Sequence, residues 1–127
     1  MHTKRLFLQD LTDQHLTLML RAVEWCYDVK IEEWLERCEN GKLAIYELEG
    51  KGLIGLQRFN GRIFIEFVVG SGLKPLGPDI IAWIKEMCGE CEIDLLVGNS
   101  RPGLMRYYER VLGFRPVATW MRYSHGK

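Results

Sequence analysis

The chain has 127 residues, 47% hydrophobic and 27% charged, enough for one domain with a real core and too few for two. Seventeen Lys and Arg balance seventeen Asp and Glu, so the net charge is zero and the basic excess typical of nucleic-acid binding is missing. No apolar run approaches the roughly 18 residues of a membrane span, and Leu6-Phe7-Leu8 behind Lys4-Arg5 is too short for a signal-peptide core, so the expectation is a soluble, cytoplasmic protein.

Arg5 to Asp10 reads as a first strand. Asp10, Thr12 or Asp13 can cap a helix in which Leu16, Met19, Leu20 and Val23 recur at helical spacing, followed by Cys26 or Tyr27. A second helix, about Lys30 to Glu39, carries Ile31, Trp34, Leu35 and Cys38 on one face and stops at Asn40-Gly41. Three strands follow: Lys42 to Leu48, Leu53 to Phe59 and Arg62 to Val69. Glu49-Gly50-Lys51-Gly52 and Asn60-Gly61 are tight-turn sequences, so the three form an antiparallel meander.

A glycine- and proline-rich turn, residues 70–78, leads to a helix whose buried face is Ile80, Ile81, Trp83, Ile84, Met87 and Cys88. Glu92 to Val97 is the next strand. Asn99 and Ser100 then cap a helix with Pro102 in its first turn and Leu104, Tyr107, Tyr108, Val111 and Leu112 on one face. Gly113 ends it, and Phe114 to Tyr123 gives one long strand or a bent pair. The order β-α-α-β-β-β-α-β-α-β predicts an α/β (α+β) fold in one domain, residues 1–127, with a mixed central sheet: a meander followed by strand–helix units.

Cys88-Gly89-Glu90-Cys91 spells C-x-x-C, but a structural zinc needs four ligands and His2, His15 and His125 are scattered. The pair falls at a helix end, whereas a thioredoxin-like pair opens a helix after a strand. Reduced, structural cysteines are expected, with no metal.

The run Tyr108-Glu109-Arg110-Val111-Leu112-Gly113-Phe114 resembles the closing motif of the GNAT family of N-acetyltransferases, and the element order is similar over nearly the whole chain. The resemblance implies acetyl-CoA as co-substrate, a primary amine as acceptor, and direct acetyl transfer between them. It implies that acetyl-CoA lies in an opening between the Arg62–Val69 and Glu92–Val97 strands. In the family the turn after the first of these carries R/Q-x-x-G-x-G/A, whose backbone holds the pyrophosphate. Here the match is Lys74-Pro75-Leu76-Gly77-Pro78-Asp79: Gly77 fits, and Lys74 is a cation in place of Arg or Gln. Pro78 removes an N–H and Asp79 replaces a small residue with a negative charge. Gly70-Ser71-Gly72 is the alternative cradle. The cofactor-binding set implied is therefore Val68, Val69, Gly70, Ser71, Gly72, Lys74 and Gly77. Asn99 joins it as the residue before the last helix, although its interval to Tyr108 is longer than usual. A plain turn is the competing reading of these glycines, and a solvated face that of Arg101, Arg106, Arg110, Arg115 and Arg122.

Two catalytic roles follow from the resemblance. Glu66, among Phe64, Phe67 and Val68, would be the base; two-residue alternation puts Ile65 and Phe67 on the opposite sheet face. A pairing with Arg58 or Arg62 is the alternative. Tyr108 would be the acid that protonates the departing thiolate, with Tyr107 the neighbouring candidate about 100° round the helix. Trp25, Trp34, Trp83 and Trp120 read as core or groove-wall residues, and Trp25 and Trp34 fall where relatives build the acceptor groove. The competing function is a GNAT-like binding or structural protein with a degenerate cofactor loop. A homodimer paired through Thr119 to Tyr123 is a third reading. Nucleic acid and membrane are not expected partners.

Overall fold

The computed structural model describes residues 1–24, 29–89, 91–95 and 102–115. The first strand, β1, is Thr3–Leu6 and lies earlier than the pattern suggests. Asp10 explains the shift: its Oδ2 accepts the Phe7 N–H at 2.8 Å, curling Leu8–Asp10 into a 3-10 turn.

Helix α1 is Asp13–Val23. Thr12 caps it, its hydroxyl accepting the His15 N–H at 3.3 Å. His15 closes a capping box in the place usual for Glu or Gln, its Nδ1 accepting the Thr12 N–H at 3.0 Å. Met19 and Ala22 are buried, whereas Leu20, expected inward, is 51% exposed. Helix α2, Ile31–Glu39, buries Trp34 and Cys38 as its period requires. Trp34 is fully enclosed and stacks on Phe67 with centroids 4.3 Å apart. It is therefore core, and an acceptor-groove wall at Trp34 is ruled out; Trp25 lies outside the described residues.

Strands β2 (Ala44–Leu48), β3 (Gly52–Phe59) and β4 (Arg62–Gly70) form the expected meander. Glu49 and Gly50 have φ of 52° and 64°, and Asn60 and Gly61 have 50° and 73°, as tight hairpin turns require. A 3-10 turn, Lys74–Leu76, precedes helix α3, Gly77–Cys88. Strand β5 is Glu92–Leu95, and helix α4 is Pro102–Arg110. Gly113 has φ 79° and the Phe114 N–H returns to the Tyr108 carbonyl at 2.9 Å, the glycine stop read from the sequence. The predicted strand from Phe114 lies mostly outside the described residues; Phe114 and Arg115 themselves are not in a strand.

The sheet order is β1-β2-β3-β4-β5, antiparallel except for the parallel β4–β5 pair. This mixed α+β sheet is covered on both faces. Under α1 and α2 lie Leu6, Met19, Trp34, Leu43, Ile45, Leu53 and Phe67. Under α3 lie Leu48, Ile54, Leu56, Ile63, Ile65, Ile80 and Ile84. Each fully buried side chain of this size contributes about 1.5–3 kcal/mol, so both layers are needed.

The β3–β4 register slips between Gly55 and Leu56: Gly55 pairs with Phe67, Leu56 with Ile65, and Glu66 is left between them. This β-bulge breaks the two-residue alternation. Glu66 and Phe67 both turn to the α1–α2 face, while Ile63 and Ile65 face α3. The expectation that Phe67 lies opposite Glu66 is thus corrected. Gly55 makes the bulge fit, since a Cβ there would fall on the Phe67 ring.

Candidate functional site

The residues singled out in the sequence lie along β4, the turn after it, and the ends of α3 and α4. On β4, Glu66 accepts from Arg37 Nη2 of α2 at 2.7 Å, and the Glu66 side chain is 11% exposed. Arg37 also donates to Gln57 Oε1 on β3. The partner is neither Arg58 nor Arg62. Arg62 instead clasps β5, donating to Asp94 Oδ2 and Oδ1 at 2.7 and 2.8 Å and pairing with Glu92. Hydrogen bonding to Arg62, together with its charge, holds the Asp94 carboxyl below the usual aspartate range, against a smaller opposing effect of burial. Val68 is 39% exposed on the α3 side; Val69 is half-buried against the α1–α2 cluster.

Beyond β4 the chain is drawn against the β2–β3 turn. Gly70 has φ 152°, and a Cβ there would fall on the Lys51 carbonyl and the Gly52 backbone. The Ser71 N–H donates to the Lys51 carbonyl at 3.2 Å. One donor of the Gly70-Ser71-Gly72 cradle is thus already engaged.

The second cradle, at the start of α3, is occupied by a side chain of α4. The Tyr107 hydroxyl donates to the Lys74 carbonyl and faces the Gly77 N–H. The Lys74 ammonium lies 5.3 Å from the centre of the Tyr107 ring. Gly77 is buried because that hydroxyl presses on it, with no room for a Cβ. Burial raises the Tyr107 hydroxyl above its ordinary pKa, and the Gly77 N–H opposes this in part. Gly77 is therefore explained by Tyr107 packing, a contact the sequence pattern does not announce.

Neither a family model nor any curated protein sequence matches this chain.

Tyr108 lies one residue on, half-buried, 6.0 Å from the Tyr107 ring and 6.5 Å from that of Phe114. Phe114 belongs to the rim of the α3-side cluster, so Tyr108 is placed beside that rim, whereas Glu66 is held by Arg37 of α2. Leu104 and Tyr107 on α4 and Leu112 just beyond it are half-buried as expected, but Val111, also past the end of α4, is 58% exposed. Arg106, Arg110 and Arg115 are exposed. Asn99 lies outside the described residues.

Cys38 is buried and its thiol is pushed up by burial, with Arg5 opposing. The Cys91 thiol donates to the Cys88 carbonyl at 3.0 Å, so the C-x-x-C pair closes the end of α3. Among the described residues no three His, Cys, Asp or Glu groups gather as a metal site would require. No described helix is long and apolar enough to cross a membrane.

Chemically, this region offers a bulged carboxylate beside a parallel strand pair, two tyrosines on one helix, and one lysine at the start of α3. The sequence gives no sign of Arg37, and it offers Tyr107 only as an alternative acid, not as the partner of Lys74 and Gly77. Arg37 and Glu66 are 29 residues apart, and only the packing of α2 on β4 joins them.

Proposed function

We propose that the protein is an acyl-CoA-dependent N-acetyltransferase of the GNAT type. One observation carries this reading: a parallel β4–β5 pair built on an antiparallel meander, with a bulge against β3 that leaves Glu66 between the pairs Leu56–Ile65 and Gly55–Phe67. Bulges bend and twist the strand that carries them and are frequent beside active sites. Such a bend suits an acyl chain lying between β4 and β5, with its thioester near Glu66.

In this reading Glu66 takes a proton from the acceptor amine, whose nitrogen attacks the thioester carbonyl. The C–S bond then breaks, and Tyr108 gives its proton to the departing thiolate. Arg37 is the positioning partner of Glu66. Lys74 supplies positive charge for the phosphates, while Val68, Val69 and the residues 70–72 border the cofactor arm.

A titration with acetyl-CoA, followed by thermal unfolding, tests this. A ligand at a hundred times its dissociation constant stabilises by about 2.7 kcal/mol, so acetyl-CoA should raise the melting temperature. No shift at millimolar acetyl-CoA overturns the reading. Where binding is seen, Glu66→Gln and Tyr108→Phe should lower turnover and leave affinity nearly unchanged.

A second reading has its own support. With the Tyr107 hydroxyl at Lys74 and Gly77, the α3 cradle is filled from within. A GNAT-like protein that binds a partner or ligand without acyl transfer fits that contact, and it predicts no acetyl-CoA shift.

A further inference from the structure

On the α1 side of the sheet lies a cleft of about 270 Å³, between α1 and the β2–β3 turn and away from the Tyr107 contact. That volume falls just below the roughly 300–1,000 Å³ usual for small-molecule sites. Its wall is polar: Gln14, His15, Arg21, Glu47, Lys51 and Ser71 line it.

The charges do not cancel. Glu47 is engaged, with Oε2 3.0 Å from His15 Nε2. Because His15 Nδ1 accepts the Thr12 N–H, Nε2 carries the ring proton and donates to Glu47. The neighbouring Glu49 turns to the His2 N–H. Arg21 and Lys51 are exposed and pair with no carboxylate among the described residues. Two cations thus face one ion whose charge is already shared. Ser71, whose backbone is fixed by the Lys51 carbonyl, adds a hydroxyl, and Gln14 an amide.

We propose that this cleft binds the anionic head, phosphate or carboxylate, of a small molecule. Arg21 and Lys51 bind the charge, Ser71 and Gln14 complete its hydrogen bonds, and the His15–Glu47 pair closes one end. The site shares Ser71 with the border of the cofactor arm but uses no residue of the α3 cradle, and it does not rest on acyl transfer.

Inorganic phosphate and succinate, titrated at constant ionic strength into isotope-labelled protein with chloride as the control, test this. At least one should give saturable amide shifts at Arg21, Lys51 and Ser71 that chloride does not. Lys51→Gln and Arg21→Gln should each weaken binding about tenfold, as loss of a charge-assisted hydrogen bond does. Both side chains are exposed, so the core is spared. Tighter phosphate binding would indicate a phosphorylated compound, tighter succinate a carboxylic acid, and either supports the cleft. Shifts that fail to saturate with both anions, or affinity unchanged in both variants, overturn it.

Discussion

A methyl group at position 77 would fall on the Tyr107 hydroxyl, so changes at these two residues are coupled. Gly77→Ala keeps an ordinary helical backbone there and should cost about 1–3 kcal/mol through overpacking. Tyr107→Phe loses one hydrogen bond, about 0.5–1.5 kcal/mol. Removing the hydroxyl relieves the tightest of the methyl's clashes, leaving those with Tyr107 Cζ and Leu112 Cδ2 at 2.9 Å, so the double variant should be more stable than the sum of the two single losses by at least about 0.5 kcal/mol. Urea denaturation of the four proteins checks this; simple additivity would mean that the contact does not hold. The same hydroxyl sets an alkaline limit. Its pKa in the folded chain lies above the ordinary value of 10.0. Its contribution is therefore complete below that pH and is lost as pH rises through the folded value. Tyr107→Phe should lack this loss.

At the scale of elements, β4 is held by two devices that act on opposite sides of it. Toward β3, the bulge depends on Gly55. Gly55→Ala would drive a methyl into the Phe67 ring, which Trp34 backs at 4.3 Å and which has nowhere to retreat. The expected loss is about 1–3 kcal/mol, read as a lowered urea midpoint. Toward β5, Arg62 holds Asp94 with two hydrogen bonds and also meets Glu92. The Asp94 pKa is depressed by this pairing from its ordinary value of 3.8. The stabilisation is therefore fully present above that pH and is lost as pH falls through the lower folded value. Asp94→Asn should be less stable at neutral pH and should lose less stability on acidification than the parent. Parallel stability–pH curves for the two would contradict the clasp.

For the whole molecule, local signals were the legible ones. Asn60-Gly61, Asn40-Gly41 and Gly113 mark turns and ends because positive φ is costly for other residues, and all three glycines have it. The spacing of Ile31, Trp34, Leu35 and Cys38 likewise gives α2 its inward face. Contacts between distant segments were not legible. The bulge at Glu66 depends on which residue of β3 lies opposite, and a single strand's pattern does not contain that. Arg37 reaches Glu66, and Tyr107 reaches Lys74, only after helices have packed on the sheet. Leu20 is exposed although an apolar residue beside the inward stripe satisfies the period almost as well as Met19 does. The sequence offers the cradle glycines as a phosphate loop or a plain turn, whereas the need at Gly77 and Gly70 is close packing within the chain.

The order of the strands has a consequence for how the chain is made. Strands β2, β3 and β4 are neighbours in sequence and in the sheet, so their pairing closes only short loops. Strand β1 pairs Thr3 with Leu48 and Leu6 with Ile45. It therefore emerges from the ribosome well before its partner exists, with two helices still to be synthesised between them. Until then its edge groups have no sheet to join, and a chain cut short before Leu48 keeps Leu6 from the core it belongs to.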